Sequence, residues 1–176
     1  MSATSPVFTI GHSTRTIPAF VEILDSAAVQ LVIDVRTVPR SRTNPQYNAD
    51  VLPGELAPHG IAYGRIAELG GLRSRSRDVP SEINAFWRNQ SFHNYADYAL
   101  SDSFEVGLRK LIDSAEERAT AIMCSEAVWW RCHRRIIADY LLLRGREVNH
   151  LMGPGRLAAA SLTPGAVPVD GRLTYP

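Results

Sequence analysis

The chain is poor in cysteine, lysine, net charge and long apolar runs, and each shortage excludes something. Two cysteines in 176 residues cannot build a disulfide framework. No run approaches the ~18 apolar residues that read as a membrane span. The N-terminal stretch "MSATSPVFTIGHS" lacks both a basic region and a long apolar core, so no secretory signal is read there. These shortages lead to the expectation of a cytoplasmic chain with no membrane partner and with both thiols reduced at rest. The net charge of +1 lacks the basic surplus usual in proteins that bind nucleic-acid backbones. Lys110 is the sole lysine, so almost all positive charge is arginine. Genomic codon bias gives such an excess, and so does a need for planar forks that grip anions.

Forty-five per cent of the residues are hydrophobic, enough to bury one sizeable core. "VFTIG" at Val7–Gly11 is rich in β-formers. Thr16 is placed to cap a helix in which Phe20, Ile23, Leu24 and Ala27 share one face. "LVIDV" at Leu31–Val35 is a continuous apolar run with one acid, the pattern of a buried parallel strand. Further strands are expected at Ile61–Ile66, Thr120–Cys124 and Val148–Met152. Helices are expected around 50–58, in pieces over 83–100, over 102–117 with Asp102 or Ser103 as its cap, and after His133 up to Gly145. The expectation is one α/β domain over 1–176, three-layered, with a mostly parallel sheet flanked by helices. Residues 153–176 read as an irregular tail with a small hairpin at Asp170-Gly171.

Ligands of open parallel sheets bind beyond the C-terminal strand ends. Three strands in turn are followed there by polar residues. Gly11, His12 and Ser13 follow the first; His12 is a candidate acid, base or ligand, or simply a backbone-bonded turn residue. Asp34 and Arg36 end the second, followed by Arg40 and Ser41. That group suits an anion clamp, and equally a buried Asp34–Arg36 ion pair that shapes the loop. Cys124, Ser125 and Glu126 follow the strand at 120. "RSRSR" at 73–77 is either a solvated charge run or a lid over this rim, and the aromatic segment 86–98 is either core or a stacking surface for bases.

The densest stretch is "CSEAVWWRCHRR" at 124–135, which holds both cysteines. Four readings stand open. Cys124, Cys132 and His133, with His12, could form a metal site, although seven residues separate the cysteines, too many for a zinc knuckle. The cysteines could be a redox pair, although they are not C-x-x-C. The stretch could be a nucleophile or anion loop ahead of a helix. However, six residues separate Cys124 from Arg131, one more than in the phosphatase signature. Lastly, both thiols could be buried core residues. Glu126 is a candidate general base or orienting group for His133, and the helix dipole would lower the Cys132 pKa.

"IGHS", "DVRTVPRS", "ELGG", "YADY", the "CSE…CHR" stretch and "LTYP" together resemble the bacterial and archaeal family called domain of unknown function 488. Its paired-cysteine motif maps onto Cys124, Glu126, Cys132, His133 and Arg134. Its other motifs map onto Gly11, His12 and Ser13, and onto Asp34, Val35 and Arg36. The resemblance implies an α/β fold and a shared polar site, and supplies no reaction. The run Val32–Arg36 also resembles the strand that precedes the active loop of sulfurtransferase domains.

Three functions follow as expectations. The first is a hydrolase or transferase for an anionic substrate: a nucleotide, nucleic acid or phosphorylated metabolite. Here Arg36, Arg40 and Arg134 hold the anion, Gly11, Ser13 and Ser41 donate to it, and His12, Asp34, Cys124, Glu126, Cys132 and His133 carry the chemistry. The second is a non-catalytic nucleic-acid-binding module. The third is a metal- or thiol-redox-dependent regulator. No cofactor and no oligomeric state is specified.

Overall fold

Five of the strands run parallel in one sheet, and their apolar residues explain why. Val7–Gly11 (β1), Leu31–Asp34 (β2) and Thr120–Cys124 (β4) are buried at every position, as strands covered on both faces must be. The computed structural model describes residues 5–176. Between these strands lie Ile17–Ser26 (α1), Leu52–Leu56 (α2), Ala62–Arg65 (β3), Gln90–Tyr98 (α3) and Asp102–Glu117 (α4). Arg134–Leu143 (α5), Val148–Gly153 (β5), Arg156–Ala159 (β6), Val167–Val169 (β7) and Arg172–Thr174 (β8) complete the order. The sheet runs β3-β2-β4-β1-β5-β6, with β6 alone antiparallel.

Strand alternation divides the core in two. Phe8, Ile10, Val32 and Met123 point to one face, where Phe20 and Leu24 of α1 and Leu52 and Leu56 of α2 cover them. Val7, Ile33, Ile122 and Cys124 point to the other, against Phe104 and Leu108 of α4 and Ile136 and Leu141 of α5. The layers are helix, sheet, helix. The chain leaving β2 therefore enters the first helical layer, and the chain leaving its neighbour β4 enters the second. Such a divergence opens a crevice at the C-terminal strand ends. Register brings Gly11 opposite Cys124 and Asp34 opposite Met123, so the residues following all three strands share one rim.

Local signals set most boundaries. The Thr16 hydroxyl accepts from the Ala19 amide at 3.3 Å and starts α1. Gly145, at φ 77, ends α5 in the left-handed conformation that glycine adopts freely. The cap of α4 is Ser101, accepting from Phe104 at 3.3 Å, one residue before the expected Asp102 or Ser103. The expected irregular tail is also corrected, because residues 156–159 return as the edge strand β6. That strand is mostly exposed and alanine-rich, so neither alternation nor β-propensity marks it. The hairpin lies where it was expected: Asp170 and Gly171, at φ 50 and 78, join β7 to β8.

The hairpin docks its own C-terminal side. Tyr175 is fully buried beside Trp87, and its hydroxyl donates to Asp139 Oδ2 of α5 at 2.8 Å. Tyr175→Phe should cost about 1–3 kcal/mol in urea unfolding, because it leaves a buried carboxylate oxygen short of a donor. An unchanged midpoint would show that the contact does not hold the tail.

Candidate functional site

A cavity of about 470 Å³ occupies the crevice at the strand ends. Alternation decides which groups reach it from each side. His12 projects toward the α1–α2 layer, its ring stacked on Tyr47 at 4.2 Å and 11°. Its Nδ1 lies 2.8 Å from the Ser13 carbonyl, which only accepts, so Nδ1 carries the proton and Nε2 takes the Arg36 Nη1–H at 3.3 Å. Burial keeps this imidazole below its usual pKa, against the hydrogen bond to Ser13, and so favours the neutral ring.

Asp34 and Arg36 form a buried two-pronged ion pair. Arg36 Nε donates to Oδ1 at 2.9 Å and Nη2 to Oδ2 at 2.7 Å, while the Arg36 amide donates to Oδ1 at 3.0 Å. Tyr63 also donates to Oδ2 at 2.6 Å, and Arg36 reaches the Tyr47 carbonyl at 2.6 Å. Asp34 is thus enclosed and absent from the cavity wall, whereas Arg36 keeps an edge on it.

The second layer contributes the thiols. Cys124 ends β4, and Cys132 immediately precedes the first turn of α5. Between them lies Arg134, 1% exposed. Its Nε donates to Cys124 Sγ at 3.1 Å and to Cys132 Sγ at 3.3 Å. Its Nη1 donates to Thr9 Oγ1 at 3.0 Å and its Nη2 to the Glu126 carbonyl at 2.6 Å. Among the described residues no carboxylate forms an ion pair with it. A buried guanidinium without a counter-charge is costly, and one thiolate beside it removes that cost.

The two thiols divide the roles. Burial would raise Cys132, but the adjoining Cys124, His133 and Arg134 outweigh it and hold Cys132 well below the ordinary thiol range. The Arg134 amide, at the start of α5, adds a donor to the same sulfur at 3.4 Å. Burial, then the charge on Cys132, pushes Cys124 well above that range. His133 donates from Nε2 to the Val35 carbonyl at 2.8 Å, so Nδ1 faces Cys132 Sγ at 3.6 Å. Gly71 makes room for that ring, since a Cβ there would lie 2.4 Å from Nδ1.

Behind Arg134 the chain of contacts continues. Thr9 Oγ1 accepts from Arg134 and donates to His150 Nδ1 at 2.7 Å. The His150 ring lies flat on Trp129 at 4.4 Å. Burial, then Arg134, lowers its pKa to about 4.

The structure therefore brings His12, Arg36, Arg40, Ser41, Cys124, Glu126, Cys132 and His133 to one cavity. It does not bring Asp34, Gly11, Ser13 or Arg134 to that wall. Gly11 serves packing, because a Cβ there would meet the Glu126 carbonyl at 1.8 Å. Ser13 takes φ 49 in the turn and donates its amide to the Ser125 carbonyl at 3.0 Å. Arg134 lies behind the sulfurs with its donors engaged, a placement at odds with direct contact to an anion in the cavity. The "RSRSR" segment is no lid over this rim: Arg73 stacks on Tyr98 at 3.7 Å, and the segment borders a separate cavity of about 420 Å³. In the aromatic segment, Trp87 and Tyr95 are core, and Phe92, with its neighbour Ser91, reaches the site wall. Arg131 entered the sequence reading only as the arginine of a candidate anion loop, and Thr9 and His150 were not singled out. Both had a signal, since Thr9 is the polar residue of the buried strand β1 and His150 is one of two polar residues, with Asn149, in the buried run of β5.

A model of the family described as domain of unknown function DUF488 matches residues 16–141. The chain belongs to the DUF488 family. The matched span begins at the cap of α1 and ends within α5, so it contains the Asp34–Arg36 pair, both thiols and Arg134 of this DUF488 chain. Neither a curated protein nor a solved structure matches it. Among the described residues no group of three or more His, Cys, Asp or Glu is placed to hold a metal ion. No helix among them is long and apolar enough to cross a membrane.

The network also fixes an acid limb of stability. His150 and His12 are held neutral below the ordinary histidine pKa of about 6.5, so below that value the unfolded chain binds more protons than the native one. Stability should therefore fall as the pH drops from about 6.5 to 4, with His150 contributing about 3 kcal/mol. His150→Gln should flatten most of this slope in denaturant titrations at a series of pH values. An unaltered slope would contradict the neutral, Thr9-bonded ring.

Proposed function

We propose that this DUF488 chain is an enzyme, a hydrolase or transferase, acting on an anionic substrate at the rim of the sheet. Nucleotides, nucleic acids and phosphorylated metabolites are the substrate classes that fit. The observation that supports this most is the meeting of two arginine-bonded sulfurs with exposed arginine side chains in one cavity. Cys132 faces the space that Arg40 and Arg131 also line, and both arginines are exposed and absent from the ion pairs. A cavity of several hundred cubic ångströms suits a small-molecule ligand.

In this reading Arg40 and Arg131 grip the anionic group, with Ser41 beside them, and Arg36 offers the one Nη1–H not taken by His12. Cys132 is the nucleophile, its thiolate stabilised by Arg134 and the start of α5. Glu126 is exposed, and its carboxylate makes one long contact, 3.5 Å to the Val128 amide. It is free to move a proton to a leaving group or from an attacking water. Water as the acceptor makes the reaction a hydrolysis; another nucleophile makes it a transfer. A purely nucleic-acid-binding module is less well supported, because Arg73 is committed to Tyr98 and to the Ala67 and Gly70 carbonyls.

Titration calorimetry with inorganic phosphate and with a nucleoside monophosphate tests the reading. Arg40→Ala and Arg131→Ala should each weaken binding by about tenfold or more and leave the melting temperature in place. Arg36→Ala should instead destabilise the fold by about 3–5 kcal/mol, since it strands the buried Asp34 carboxylate. Full anion affinity in the Arg40 and Arg131 variants would overturn the reading.

A further inference from the structure

The proposed reaction uses Cys132 and leaves Cys124 without a task. Cys124 packs in the core, but not as an isolated thiol. It lines the same cavity as Cys132, and both sulfurs accept from the same Arg134 N–H, at 3.1 and 3.3 Å. A guanidinium that holds two sulfurs together, with a cavity open to small molecules in front of them, is a dithiol site. We infer that Cys132 and Cys124 form a peroxide-reactive dithiol that closes to a reversible intramolecular disulfide.

The chemistry balances in two steps. The Cys132 thiolate attacks one oxygen of a hydroperoxide; an S–O bond forms, the O–O bond breaks, and two sulfur electrons leave with the departing hydroxide or alkoxide. Cys132 is now a sulfenic acid. The Cys124 sulfur attacks Cys132; an S–S bond forms, the S–O bond breaks, and hydroxide leaves with the Cys124 proton as water. A dithiol reductant then returns both thiols.

Two features make closure accessible and labile. The connecting segment 125–131 carries no fully buried residue, so a shift on closure disturbs only the ties of the Ser125 and Glu126 carbonyls and of the Trp129 ring. The disulfide also removes the negative charge beside Arg134, whose remaining partners, Thr9 and the Glu126 carbonyl, are neutral. The oxidised form therefore holds an uncompensated buried cation. Unlike a structural staple, this bond should lower the stability of the chain that contains it.

The inference does not depend on the anionic substrate, because its readouts are thiol chemistry and melting temperature alone. The full chain is treated with hydrogen peroxide at neutral pH and followed by thiol count and intact mass. The wild type should lose both thiols, remain monomeric in chain mass, shed two hydrogens per chain, recover with dithiothreitol and melt lower when oxidised. Cys124→Ser should stop at a sulfenic acid that dimedone traps. Cys132→Ser should lose its remaining thiol about tenfold or more slowly than wild type. Two thiols surviving in wild type, sulfinic acid in place of disulfide, or an oxidised form that melts higher would each overturn the inference.

Discussion

One buried guanidinium sets the terms for the rim of this fold. Arg134 is enclosed between β4, β1 and the start of α5, with two sulfurs, a hydroxyl and a carbonyl as its acceptors. None of these is a carboxylate. The low dielectric that makes such a charge expensive is also what makes a neighbouring thiolate favourable. Much of the remaining arrangement follows: the Cys132 thiol is held below the ordinary range and the Cys124 thiol above it, Thr9 turns its own proton to His150, and the pKa of His150 is lowered.

The opposite side of the sheet solves a similar problem in the ordinary way. Arg36 is also buried, but Asp34 meets it with both oxygens. That pair fixes the loop after β2 and leaves one guanidinium edge toward the cavity. The crevice thus lies between a cation neutralised by a carboxylate on one layer and a cation bonded to two sulfurs on the other. The exposed Arg40 and Arg131 stand at the same cavity, and among the described residues neither forms an ion pair. Membership of the DUF488 family leaves the reaction open, so a reading of its chemistry rests on this asymmetry.

Much of this was legible in the sequence. Apolar runs at Leu31–Val35 and Thr120–Cys124 mark parallel strands because no exposed strand could carry them. Once the strands are placed, the rim groups assemble from topology alone. What could not be read was depth. Asp34, Arg36, Arg40 and Arg134 are all polar residues near strand ends, yet two of them are enclosed, one is half committed and one is exposed. That difference depends on Tyr47, Tyr63 and Thr9, which come from distant segments. Edge strand β6 was illegible for another reason: exposed alanines carry neither periodicity nor β-propensity. The roles of Gly11 and Gly71 depend on a carbonyl and an imidazole that only the folded chain brings near them.

The central claim is that a thiolate balances Arg134. Ultraviolet thiolate absorbance of the folded chain, followed across pH, tests it most directly. One thiolate per chain should persist well below the free-thiol value of about 8.5, and Cys132→Ser should abolish it. Two thiols titrating together at or above that value in the folded protein would contradict it.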